Sequence, residues 1–200
     1  MDISVYFVLE LLGTAAFAVS GAMVAIEKKM DILGVIILGM TTAIGGGVIR
    51  DVLMGNTPPT GLADPLYALL AIAVSACVFI PAVRKKVNVD GKLLVVIDAL
   101  GLGTFTVLGI RTAAGLDSFC LRIFLGVLTG VGGGVLRDVF AAQRPMIFVR
   151  HFYAAASLLG AVLCALVLPR NENLGMLLGI VLILILRILA AKYKWHLPKA

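Results

Sequence analysis

Charge is scarce in this sequence. Asp, Glu, Lys and Arg make up 14% of its 200 residues, against about a quarter in an ordinary soluble domain, which excludes a water-solvated globular surface. Cysteine is scarce too. Cys77, Cys120 and Cys164 make no CxxC spacing and have no acidic or histidine cluster beside them, which excludes a disulfide framework and a thiolate metal site; all three lie in or beside apolar stretches and read as inert buried thiols. The two histidines, His151 and His196, fall in a loop and in the tail. There is no HExxH and no nucleophile elbow, and the glycine-rich segments lack the strand and lysine of a phosphate loop, so the chain reads as a non-enzyme without a cofactor. A basic leader segment is missing as well. The first apolar run continues to Ile26, longer than a signal-peptide core, and is expected to be retained as a helix.

What is abundant is apolar surface: 61% hydrophobic residues and a mean hydropathy of +1.09. The bilayer is the solvent such a chain requires. Its net charge of +6 lies mostly in short gaps between apolar runs and is a topology signal rather than a nucleic-acid surface. Seven windows are apolar enough for membrane helices of about 20 residues: Ile3 to Ile26, Gly34 to Met54, Leu66 to Val83, Leu93 to Thr112, Phe119 to Ala141, Phe152 to Leu168 and Leu174 to Ala190. Turn-forming residues separate them, as in Asn56-Thr57-Pro58-Pro59-Thr60-Gly61 and Gln143-Arg144-Pro145. With the N-terminus outside, the cytoplasmic segments, Arg187 counted among them, hold twelve Lys and Arg against three outside. That asymmetry predicts an external N-terminus and a cytoplasmic C-terminus.

The sequence also repeats itself. Gly45-Gly46-Gly47-Val48-Ile49-Arg50-Asp51-Val52-Leu53 returns 87 residues later as Gly132-Gly133-Gly134-Val135-Leu136-Arg137-Asp138-Val139-Phe140. Pro58 and Cys77 find Pro145 and Cys164 at the same offset, and with one residue of slippage Glu10, Gly13, Phe17 and Gly21 align with Asp98, Gly101, Phe105 and Gly109. Each copy holds three spans, so the second enters the membrane from the opposite side. The expected fold is therefore an all-α integral membrane domain over residues 1–200, with repeat 1 at 1–87, an inverted repeat 2 at 88–170, and a seventh helix with the tail at 171–200. Folds of this kind place their functional site near the bilayer midplane between the copies.

Both glycine triplets fall at mid-depth of their spans, the second and the fifth. Three consecutive glycines forfeit about 3 kcal/mol of helix propensity and are expected to kink or unwind the helix. Carbonyls freed before the break, at Thr41 to Ile44 and Leu128 to Val131, would suit a cation, and amides freed after it an anion. Close helix packing is the plainer alternative, since small residues also let backbones approach. Charges inside spans are functional by default: Glu10 and Arg50 share one leaflet, Asp98 and Arg137 the other, and Arg50 is expected to pair with Glu10 or a symmetry-related acid and Arg137 with Asp98. Neighbours do not face each other on a helix, so Asp51 and Asp138 are expected to pair elsewhere. The Arg-Asp motifs could equally pin helix ends by snorkelling. Ser20, Thr41, Thr42, Thr104, Thr106 and Thr129 place a polar path among the first, second, fourth and fifth spans, although such hydroxyls often bond their own i−4 carbonyl instead.

The duplicated Gly-Gly-Gly-x-x-Arg-Asp over residues 3–190 resembles the prokaryotic branch of the trimeric intracellular cation (TRIC) channels. The resemblance implies a homotrimer in the prokaryotic cell membrane, with one pore per subunit lined by kinked second and fifth helices, and permeation by monovalent cations, potassium chiefly, with sodium the other candidate. It assigns the kinks to the two glycine triplets, flanked by Arg50, Asp51, Arg137 and Asp138. Bound lipid is compatible with it, but the Lys-Glu-Val segment of animal members is missing, so phosphoinositide control does not transfer. The same bacterial family also carries a glycine-transporter label, and a zwitterion could use both freed helix ends at once. A scaffold whose glycines only pack helices is the third reading.

Overall fold

The structure, a computed structural model, describes residues 5–87, 92–149 and 152–195. Among them every regular element is a helix: α1 Val5–Glu27, α2 Ile32–Met54, α3 Thr60–Ala63, α4 Pro65–Phe79, α5 Pro81–Val87, α6 Lys92–Thr112, α7 Phe119–Phe140, α8 Met146–Val149, α9 Tyr153–Val167 and α10 Glu172–Tyr193. Short polar side chains set the starts. Asp31 Oδ1 accepts from Gly34 N at 2.8 Å, Ser118 Oγ from Leu121 N at 3.2 Å and Asn171 Oδ1 from Leu174 N at 3.0 Å, each satisfying an amide that the first turn leaves without a partner. Gly55 ends α2 at φ 74°, the left-handed conformation that a residue without Cβ adopts freely.

The protein is a multi-pass membrane protein. α1, α2, α7, α10 and the Leu93–Thr112 part of α6 are each long and apolar enough to cross a bilayer. α4 and α9, with 15 residues each, are about 22 Å long, short of the roughly 30 Å hydrocarbon core. The third expected span is divided: Pro81 offers no amide and holds Ile80 extended at ψ 125°, so α4 stops there and α5 begins as a separate basic turn. α3 and α8, in the connectors after α2 and α7, were not anticipated.

At the centre α1, α2, α7 and α6 form a closed ring, with α4 against α1 and α2, α9 against α6 and α7, and α10 against α6 and α9. The contacts come in exchanged pairs between the two halves of the chain. A Cβ on Gly46 would collide with the Thr129 carbonyl, and one on Gly133 with the Thr42 carbonyl. Likewise Gly21 abuts Thr42 and the Gly39 backbone, and Gly109 abuts Thr129 and the Gly126 backbone. Phe17 packs on Phe105 with ring centroids 5.4 Å apart, next to Gly101 and Gly13 respectively.

Three expectations need correction. α2 and α7 run without interruption through their glycine triplets, so no unwound turn frees carbonyls or amides there; the absent side chains instead let two backbones meet, and close packing repays lost propensity. Cys77 and Cys120 are exposed, and only Cys164 is buried, because an apolar position in a membrane helix can face lipid as readily as protein. Arg187 is not a cytoplasmic loop residue. It lies inside α10 at 3% exposure, and its charge therefore says nothing about orientation.

Candidate functional site

On one side of the α2–α7 crossing, Arg50 and Asp51 form a cluster near the end of α2. Arg50 Nη2 lies 2.7 Å from Asp51 Oδ1 and its Nε donates to the same oxygen at 2.8 Å. The other carboxylate oxygen of Asp51 accepts from the Thr60 amide at 2.9 Å and so holds the first turn of α3. Arg50 does not pair with Glu10; the Glu10 carboxylate accepts from the Tyr67 hydroxyl instead. Both line one cavity with Thr14, Gly47, Tyr67 and Phe105. About 40 Å³ of it is open to water centres, room for a few waters at the roughly 10–15 Å³ that one requires.

The second cluster repeats the motif in a sealed setting. Arg137 Nη1 lies 2.7 Å from Asp98 Oδ1 and also donates to Ser20, while its Nε donates to Asp138 Oδ1 at 2.9 Å. Ser20 Oγ donates to Asp98 at 3.0 Å. Asp138 accepts from Gln143 Nε2 at 2.9 Å and from the Met146 amide at 2.7 Å, holding α8 as Asp51 holds α3. Arg137, Asp98 and Asp138 are at most 3% exposed. Removing such ions from water costs several kcal/mol each, and it is this density of charge-assisted bonds that offsets the cost.

The adjacent Arg and Asp thus do bind each other in both copies, contrary to expectation. The i, i+1 rule describes the directions in which side chains leave the helix; the arginine stem is long enough to fold its Nε back onto the next residue. Among the expected pairs, Arg137 with Asp98 is formed. Arg50 with Glu10 is replaced by Arg50 with Asp51.

Between the clusters lies the crossing. A Cβ on Gly45 would press on the flexible Leu136 side chain and one on Gly132 would sit 3.1 Å from Gly46 Cα, whereas Gly47 opens toward the cavity and Gly134 faces the Tyr153 hydroxyl. Thr42, Thr106 and Thr129 bond their own i−4 carbonyls at 2.6, 2.7 and 2.6 Å and are buried in helix contacts. Thr106 also meets Ser157 at 2.8 Å. Thr104 is buried against the Gly13 position, while Thr41 is partly exposed on α2. The hydroxyls are interface residues, and the cavity is bounded by others.

Sequence reasoning passed over Tyr67, Tyr153 and Arg187. The two tyrosines recur at an offset of 86, one residue short of the motif offset, which hides them from a fixed-offset search. Arg187 is the sole charge between Leu174 and Ala191, a signal that was present but was assigned to the loop beyond.

The sequence model of the glycine-transporter family matches residues 7–82 and again residues 95–169. The UPF0126 inner membrane protein YadS of Escherichia coli is 36% identical over 193 residues, covering 94% of this chain and 92% of that one. A structure described under the structural basis for conductance through TRIC cation channels superposes with a TM-score of 0.89 at 39% identity, covering 98% of both chains. The TRIC trimeric intracellular cation channel orthologue from Rhodobacter sphaeroides gives 0.85 at 32%, covering 96% of this chain and 99% of the other. With a doubled family match that coincides with the two arginine-aspartate clusters, the chain belongs to the prokaryotic TRIC family, the bacterial membrane proteins that the glycine-transporter model also describes.

Proposed function

We propose that the protein is a cation channel of a bacterial inner membrane, assembled as a homotrimer with a separate path through each protomer between α1, α2, α6 and α7. The observation that carries this reading is the pair of clusters on either side of one glycine crossing, one bordering a cavity with room for water and the other buried. In this reading residues 1–87 and 88–170 are inverted three-helix repeats. α4 and α9 complete their crossings with the short helices beside them, α2 and α7 bend at their triplets, and the N-terminus is external. Charged and polar groups at membrane depth are tolerated where they border water or one another. Phe105 lines the cavity and packs on the buried Phe17, and in this reading the pair is an apolar constriction that blocks ions by excluding water. In this reading the path is closed at the Asp98 end, where Arg137, Asp98 and Asp138 are buried.

Monovalent cations, potassium chiefly and sodium secondarily, are the proposed permeant species; no cofactor is required, and lipid covers the exposed apolar faces. The assay is single-channel recording in planar bilayers. A second reading has one observation in its favour: the cavity presents a carboxylate at Glu10 and a guanidinium at Arg50, which suits a zwitterion such as glycine. It would make the protein a carrier that binds at this cavity rather than at unwound helix ends. Radiolabelled glycine uptake into proteoliposomes separates the two, since a carrier limited by microsecond-to-millisecond domain motion does not sustain cation flux far above about 10⁴ per second.

A further inference from the structure

Arg187 enters the second cluster from α10, a helix with no counterpart in the first half of the chain. Its Nη2 lies 3.9 Å from Asp98 Oδ2, and its guanidinium sits 4.6 Å from the centroid of the Tyr153 ring. Asp98 is thus faced by Ser20 from α1, Arg137 from α7 and Arg187 from α10. The two copies of the motif then differ in one charge. Glu10, Arg50 and Asp51 sum to −1, as Asp98, Arg137 and Asp138 would on their own. Arg187 brings the second sum to zero.

We propose that Arg187 makes the two mouths of the path electrostatically unequal and so sets the direction in which cations pass more readily. The inference rests on the cation-channel reading above. A cation is concentrated at the Glu10 mouth by its surplus negative charge, and the Asp98 mouth offers no such surplus. One unit charge about 8 Å from the ion, at an effective dielectric of about 40, changes local cation occupancy roughly six-fold.

The test is the ratio of single-channel currents at equal and opposite voltages in symmetric low-salt KCl, for channels inserted in one direction, with trimer assembly checked by size exclusion. Wild type is expected to pass several-fold more current entering from the Glu10 mouth. Arg187→Gln should bring the ratio close to one by raising current from the Asp98 mouth, and Arg187→Lys should retain the wild-type ratio. Glu10→Gln should also equalise the mouths, but by lowering current. A conducting wild type with a ratio of one, or an Arg187→Gln ratio equal to wild type, overturns the inference while leaving the channel reading intact. So does a loss of asymmetry in Arg187→Lys as complete as in Arg187→Gln, since geometry rather than charge would then be responsible. Should Arg187→Gln fail to assemble, an unchanged ratio in Glu10→Gln overturns it. A wild type that passes no cation current refutes the channel reading and this inference with it.

Discussion

Replacing the three glycines of one triplet singly by alanine should give three different outcomes, because their surroundings differ. At Gly46 a Cβ meets the Thr129 carbonyl oxygen, with the Gly133 amide nitrogen at 3.1 Å. Both are backbone atoms of α7 and cannot rotate away, so the helices must separate by something on the order of 1 Å, and overpacking of this kind costs about 1–3 kcal/mol. At Gly45 the obstacle is the end of the Leu136 side chain, which can change rotamer, so the cost should be smaller. At Gly47 the only atom of another described side chain within 4 Å of an added Cβ is Arg50 Nη2 at 3.9 Å; alanine there is in ordinary contact and gains the helix propensity that glycine forgoes, about 0.5–1 kcal/mol. Thermal unfolding of the detergent-solubilised protein should therefore rank G47A at or above wild type, G45A slightly below and G46A lowest, with G133A matching G46A because Gly133 meets the Thr42 carbonyl. Equal stabilities for G46A and G47A would refute this account, since a triplet that served only to loosen a helix would respond alike at each position.

Other substitutions probe the clusters. Asp98→Asn leaves two buried guanidinium groups without their shared counter-charge and should cost about 3–5 kcal/mol, read as a lowered unfolding temperature. Asp51→Asn weakens the charge-assisted bonds to Arg50 and the Thr60 amide, each worth about 1.5–3 kcal/mol, and hydrogen exchange should show the Thr60 amide opening faster while helices remote from α3 are unaffected. Glu172→Gln should change stability by under about 1 kcal/mol, because the Arg111–Glu172 pair is 36% and 47% exposed and exposed pairs contribute little.

The membrane class, the helix positions and the duplicated motif were legible in sequence because hydropathy, turn residues and self-similarity are all local signals. Pro81 was legible too, yet its effect was not, since only the observed backbone shows the third span parting at Ile80. The fate of the triplets turned on what lay opposite them. Glycine lowers helix propensity in isolation, but Gly46 and Gly133 face each other's helices, and tertiary contact reverses the outcome. Asp51 and Asp138 were marked as functional from their depth, while their bonds to the Thr60 and Met146 amides depend on how the following connector folds back. Arg187 was readable as a lone charge in an apolar run; its proximity to Asp98 required knowing that α10 packs on α6.

In the channel reading conduction requires the second cluster to change, and its contacts limit how. Arg137 is bound simultaneously to α1 through Ser20, to α6 through Asp98 and to its own helix through Asp138, so rotating it away from the path breaks contacts to two neighbouring helices at once. At the Gly46–Gly133 crossing two backbones are in contact, leaving no side chain to compress, so the easiest motion pivots about the crossing and displaces the ends of α2 and α7. Phe105→Ala probes the barrier at that pivot. It should enlarge the cavity toward the crossing and admit water past Phe17, raising open probability, and at about 3–5 kcal/mol of lost packing the protein should still fold at reduced stability. Recordings in which Phe105→Ala leaves open probability and conductance at wild-type values would place the barrier elsewhere and return the aromatic pair to a packing role.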